Sequence, residues 1–116
     1  MDCLFCKIID GDIPCNKVYE DDKVLAFNDI NPVAPHHILI VPKKHYDSIV
    51  DISDKEMGIV AHIHSVINKI AMDKDFSNAG FRIINNCGRD GGQEVNHIHY
   101  HLLAGKKLPN YEANEK

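Results

Sequence analysis

The segment Asn96-His97-Ile98-His99-Tyr100-His101-Leu102-Leu103 constrains this chain more than any other. Three histidines occupy alternate positions, with Ile98 and Tyr100 between them. Alternate side chains of an extended strand share a face, so the pattern predicts three imidazoles on one side of a sheet. A helix would scatter the same residues around its axis. Imidazole changes charge, attacks electrophiles and binds metals near neutral pH, and three in register make a poor apolar core. The bland alternatives are a solvated strand face, or a row of core histidines that are each hydrogen-bonded. The glycine-rich segment Gly88-Arg89-Asp90-Gly91-Gly92 just before the strand favours a chemical role over both.

Around this segment the chain reads as one α+β domain. At 116 residues it is long enough for a single core without staples. Short strands are predicted at Val18-Tyr19, Val24 to Phe27, His37 to Val41 and Phe81 to Ile84, with the last from His97 to Leu103. Asp21-Asp22 suits a tight hairpin, and Asn31-Pro32 with Ala34-Pro35 marks a loop. Ser53-Asp54-Lys55-Glu56 reads as a capping box that opens a helix over 53–73. Met57, Val60, Ala61, Ile63, Ile67, Ile70 and Ala71 follow at helical spacing. This face is wide enough to cover a sheet and to meet a second subunit. His62 and His64 stand two apart in that helix, so they do not form an i, i+4 metal pair. A shorter helix is expected from Phe5 to Asp10, ending at Gly11. The order of elements predicts a mostly antiparallel sheet of about five strands. The domain is expected over residues 1–105, with a polar tail over 106–116.

Charge and composition narrow the partners. The net charge is -4 with no basic block, which argues against a general nucleic-acid binder. An anionic substrate must therefore be held by a local site. No apolar run reaches the roughly 20 residues of a membrane span. Met1-Asp2-Cys3 does not open a signal peptide, and the chain is read as cytoplasmic. Of the four cysteines, Cys3 and Cys6 are close enough to be half a metal site or a redox pair. Cys15 and Cys87 read as free thiols. His37 and His45 bracket a strand and would lie about 26 Å apart on a straight one, so they serve different places unless the chain bends after Pro42. Gly91 and Gly92 let the backbone approach a ligand closely and turn N–H groups toward an anion, and Asn86 adds an amide donor.

Taken together, His97-x-His99-x-His101, Cys3-Leu4-Phe5-Cys6-Lys7-Ile8-Ile9, Phe27-Asn28-Asp29-Ile30-Asn31-Pro32, Ala34-Pro35-His36-His37, Val41-Pro42-Lys43-Lys44-His45 and Gly91-Gly92-Gln93 resemble the histidine triad (HIT) family over nearly the whole chain. They are most similar to its Hint branch of nucleoside phosphoramidate hydrolases. The resemblance implies a HIT-like fold, a homodimer whose two sheets join across the interface, and hydrolysis of the P–N bond in purine nucleoside phosphoramidates. His99 then matches the nucleophile that forms a covalent nucleotidyl-histidine. The backbone carbonyl of His97 fixes the His99 tautomer, and His101 and His37 complete the phosphate site. Asn86 and the Gly92 amide match further phosphate contacts, with Gln93 and Glu94 beside them. Phe27, Asn28, Asp29 and Ile30 match the nucleoside pocket, flanked by Phe5 and Ile13, and Asp29 accepts from the ribose hydroxyls. For Phe5, Ile13, Phe27 and Ile30 simple core packing is the rival reading.

The resemblance also implies a structural zinc held by Cys3, Cys6, His45 and His97. That closed tetrahedral set leaves no position open for catalysis. A redox Cys-x-x-Cys normally sits in a thioredoxin-like βαβ context, which is not visible here; iron or nickel also suits these ligand types. Two departures stand out. Glu94 replaces the serine that animal relatives place near the phosphate or leaving group, although members resembling bacterial ones read Gln-Glu-Val. Asn28 replaces a histidine in the nucleoside pocket. The same covalent intermediate also serves hydrolysis of dinucleoside polyphosphates or nucleotidyl transfer. A zinc-stabilised, non-catalytic nucleotide-binding protein is the third reading.

Overall fold

A computed structural model describes residues 3–110. Five strands form one antiparallel sheet: β1 (Lys17–Glu20), β2 (Val24–Asn28), β3 (His36–Pro42), β4 (Arg82–Ile84) and β5 (Tyr100–Ala104). Their order across the sheet is β1-β2-β3-β5-β4. Helix α1 (Leu4–Ile9) lies on one face, and α2 (Gly58–Asp73) covers the other. The α+β expectation with about five strands, one long helix and a short N-terminal helix therefore holds.

Period-two patterning divides the strands between two clusters. Val24 and Ala26, Ile38 and Ile40, Ile98, Tyr100 and Leu102 pack with Ile63, Val66, Ile67 and Ile70 of α2. Leu25 and Phe27, Leu39 and Val41 turn the other way and pack with Cys3 and Phe5 around α1. The β1–β2 hairpin closes on Asp21, whose Oδ1 accepts the Lys23 and Val24 N–H groups at 2.8 and 2.9 Å. Its Oδ2 accepts from the Tyr19 hydroxyl and from His62 Nε2. Burial alone would raise the Asp21 pKa, but these four hydrogen bonds outweigh it and hold the carboxyl well below its usual range. His62 is thus a partnered helix histidine, and exposed His64 rests its ring on Tyr100.

Several boundaries differ from the sequence reading. The regular part of β5 begins at Tyr100 rather than His97. Ladder pairing with β3 ends at Ile40↔Tyr100, and before it the chain bends so that the Ile98 N–H donates to the Tyr46 carbonyl. The Ser53 capping box does not form. Residues Asp54–Glu56 make a 3₁₀ turn, α2 starts at Gly58, and the Ser53 side chain caps nothing. Glu56 pairs with Lys44 instead. Of the predicted α2 face, Met57 and Ala61 are exposed, while Val66, absent from that set, is buried. Helix α1 is capped by Cys3, one residue earlier than expected. In the anticipated tail, the Pro109 carbonyl accepts from Arg82 Nη2 at 2.8 Å, which ties this part to β4; residues 111–116 lie outside the described residues. No helix among the described residues is long and apolar enough to cross a membrane.

Candidate active site and metal centre

His97, His99 and His101 project from the α1 face of the sheet, opposite Ile98, Tyr100 and Leu102. They are not a solvated row: His97 is 0% and His99 6% exposed. Nor are they equivalent. His97 belongs to a metal-type cluster, and His99 and His101 line a cleft.

Hydrogen-bond direction assigns the tautomers. A carbonyl only accepts, so His99 Nδ1 carries the proton it donates to the His97 carbonyl at 2.8 Å. Neutral His99 therefore keeps its lone pair on Nε2. The Val33 N–H donates to His37 Nδ1 at 3.2 Å, which places the proton of neutral His37 on Nε2. That group donates to His101 Nδ1 at 2.9 Å, so the His101 proton in turn lies on Nε2. A one-way chain of donors thus runs from the Val33 amide through two imidazoles. Burial, reinforced by neighbouring His99 and His37, pushes His101 down to about 4 despite the nearby Asp29. Burial also lowers His37, with Asp29 opposing it. Both rings are neutral N–H donors at pH 7.

Two clefts meet at these histidines. One, of about 270 Å³, is walled by Phe5, Ile13, Phe27, Asn28, Ile30 and Leu39. The other, of about 330 Å³, is walled by His37, Asn86, Gly92, Val33 and Ile84. Asp29, Asn31, Glu94, His99 and His101 line both, so the two form one cavity with an apolar and a polar half. Phe5 and Phe27 are each 4% exposed and meet edge to face at 5.8 Å, so they serve as core and as cleft floor together. Ile30 is 91% exposed, which removes core packing as its explanation. Asp29 spends Oδ1 on the Asn31 N–H at 2.8 Å and holds Oδ2 3.5 Å from His37 Nε2.

The two glycines of the loop before the triad differ in what they do. A Cβ on Gly91 would lie 2.4 Å from the Cys87 carbonyl oxygen, so glycine is needed here for the loop to close on itself. Gly92 has φ +82° and lines the polar half, but its N–H is donated to the Arg89 carbonyl at 3.1 Å. That amide is therefore engaged within the loop. Gln93 lies outside both clefts and braces the loop, accepting from the Gly88 N–H and donating to the Asp47 and Val95 carbonyls. Asn85, which the sequence did not single out, donates Nδ2 to the His99 carbonyl at 3.0 Å. An asparagine two residues before Cys87 carries no local pattern that would reveal this contact.

Cys3, Cys6, His45 and His97 converge at the start of α1. His97 Nδ1 lies 3.3 and 3.6 Å from the two sulfurs and 3.1 Å from His45 Nδ1, which is 3.4 Å from Cys6 Sγ. Tetrahedral zinc ligands at about 2.0–2.3 Å from the metal stand roughly 3.3–3.8 Å apart, close to this set. The outer contacts agree. His97 Nε2 donates to the Pro42 carbonyl, and His45 Nε2 to Asp47. With the outer nitrogens so engaged, the two Nδ1 atoms face one another and the two sulfurs, the atoms a shared cation would take as ligands. Burial lowers His97, favouring the neutral ring a metal needs. His45 reaches this cluster because the chain turns after Pro42, while His37 stays in the cleft. The residues fit a bound metal ion.

Residues 10–108 match the HIT domain family. An uncharacterised HIT-like protein of Buchnera aphidicola is 47% identical over 108 residues, covering 93% of this chain and 95% of its own. A histidine triad protein from Clostridium difficile superimposes with TM-score 0.95 at 76% identity, over 97% of each chain. A HIT family hydrolase from Legionella pneumophila superimposes with TM-score 0.91 at 46% identity, over 93% of this chain and 96% of its own. On this match, and on a triad arranged as described, the chain belongs to the histidine triad (HIT) family.

Proposed function

We propose that the protein hydrolyses the P–N bond of purine nucleoside phosphoramidates through a covalent nucleotidyl intermediate on His99. The observation that carries this reading is the His99 tautomer. A buried imidazole, its Nδ1–H donated to the His97 carbonyl, turns Nε2 to the place where an apolar cleft meets a polar one. The nucleoside occupies the half walled by Phe5, Ile13, Phe27, Asn28 and Ile30, with Asp29 accepting from the ribose. The α-phosphate sits against His101 and Asn86, whose N–H donors stabilise charge on its oxygens, while His37 holds the His101 proton on Nε2. Nε2 attacks phosphorus, the P–N bond breaks, and the leaving nitrogen takes a proton from solvent water and departs as an amine. A water molecule then attacks the same phosphorus and gives up a proton to solvent, the P–Nε2 bond breaks, and AMP leaves with the Nε2 lone pair restored. A hydrolase activity agrees with the description of the Legionella relative.

Zinc is the metal that best suits a Cys2His2 set, and when bound it supplies a cross-link rather than chemistry. Cys3 and Cys6 tie the start of α1 to the strand that carries the triad, and Phe5 then holds its ring 5.0 Å from that of His99. Such a thiol-dependent site suits the reducing cytoplasm. The edge of β4 and the outer surface of α2 are where a second copy joins.

The test is release of AMP from adenosine 5′-phosphoramidate by the wild type and by His99→Ala. Release by the wild type and loss of at least a thousandfold in His99→Ala are expected. Full activity in that variant would remove His99 as the nucleophile.

A further inference from the structure

Glu94 is the one carboxylate besides Asp29 that borders both halves of the cavity, and it also borders an adjoining groove with Leu4, Val95 and Asn96. Asp29 holds Oδ1 on the Asn31 N–H, and in the proposed reaction its carboxylate accepts from the ribose. Glu94 is exposed, and its carboxylate makes no hydrogen bond or ion pair among the described residues. It follows Gln93, whose side chain is fastened to three backbone groups, so the backbone that carries Glu94 is fixed at the cavity mouth.

We infer that Glu94 selects the leaving group, favouring amines that carry a positive charge and disfavouring anionic ones. This rests on the proposed reaction. With the nucleoside in the apolar half and the α-phosphate at His99 and His101, the remaining substituent on phosphorus leaves through the mouth that Glu94 borders. A free carboxylate there attracts an ammonium group on the departing amine. It repels a carboxylate, and more strongly a polyphosphate, in the same place. Hydrolysis of the P–N bond is thereby favoured over hydrolysis of dinucleoside polyphosphates, although both pass through the same intermediate. An exposed charge pair changes an equilibrium up to about fivefold, so attraction and repulsion together separate cationic from anionic leaving groups by roughly tenfold.

Three adenosine 5′-phosphoramidates of matched length, whose amines end in an ammonium, a hydroxyl or a carboxylate, test this in wild type and Glu94→Gln. The wild type is expected to show kcat/KM falling in that order, about tenfold from first to last at low salt. The spread should narrow as ionic strength rises, and Glu94→Gln should collapse it to within about twofold at any salt. A wild type that turns over all three equally overturns the inference and leaves the phosphoramidase reading intact. So does a Glu94→Gln variant that loses activity on all three alike with the order preserved. No turnover of any of them by the wild type overturns both together.

Discussion

His101 is the residue whose chemistry departs furthest from that of an isolated histidine. Its ring accepts from His37 on one side, meets His99 edge to face at 5.1 Å on another, and is pushed down to about 4 by burial and these neighbours. A depressed histidine pKa means that the unfolded chain binds the proton more readily than the folded one. Between its ordinary 6.5 and the folded value of about 4, unfolding therefore takes up a proton, and stability falls as pH falls. Moving from pH 7 to pH 5 should remove about 2 kcal/mol through this one group, with His37 adding in the same direction. Urea midpoints at the two pH values check it. His101→Gln should flatten the dependence, and an unchanged slope in that variant would refute the assignment. The identity of such residues was legible in the sequence, since three alternate histidines permit one face only. Their protonation was not, because it follows from contacts to Val33, the His97 carbonyl and Pro42, which no spacing reveals.

Helix α1 shows how an element depends on what it is fastened to. Six residues are too few to form a stable helix alone. Its first turn is built from Cys3, whose sulfur accepts the Cys6 N–H at 3.3 Å, and both thiols belong to the metal-type cluster. Chelation should release α1 and withdraw Phe5 from the triad. A metal present at a thousand times its Kd contributes about 4 kcal/mol, so Tm should drop by roughly 10–20 °C. Nucleotide affinity should weaken with it. Calorimetry with and without chelator, followed by zinc repletion, is the measurement; an unaltered Tm would mean that the cluster holds no structural metal. The helices also mark where local patterns mislead. Ser53 and Glu56 have capping-box spacing, yet Lys44 draws the Glu56 carboxylate away and α2 starts five residues after Ser53. A charge 12 residues upstream decided a boundary that the local pattern assigned otherwise.

The molecule as a whole is a sheet with a division of labour. One face is sealed by α2 around Ile38, Ile40, Ile98 and Leu102, all 0–1% exposed, and carries stability. The other, under α1, holds the imidazoles and the clefts. The β4 edge carries only half-buried residues, which suits pairing with a second copy. Sedimentation should accordingly give twice the mass of one chain, and a monomer at micromolar concentration would contradict the homodimer. Periodicity was enough to fix the two faces, because side-chain direction along a strand is a local consequence of backbone geometry; the order of elements pointed to the antiparallel class, and the family came from motif resemblance. The same alternation holds from His97 to His101 even where the ladder stops at Tyr100. What chain order left open was which histidine meets which. His37 joins His101 across β3 and β5, 64 positions apart, while His45 turns after Pro42 to meet His97, 52 positions on. The same holds for the Gly92 amide, read from sequence as a phosphate donor and found bonded to Arg89. Those pairings are set by how strands register and loops close, and contacts between distant parts of a chain leave no trace in its local pattern.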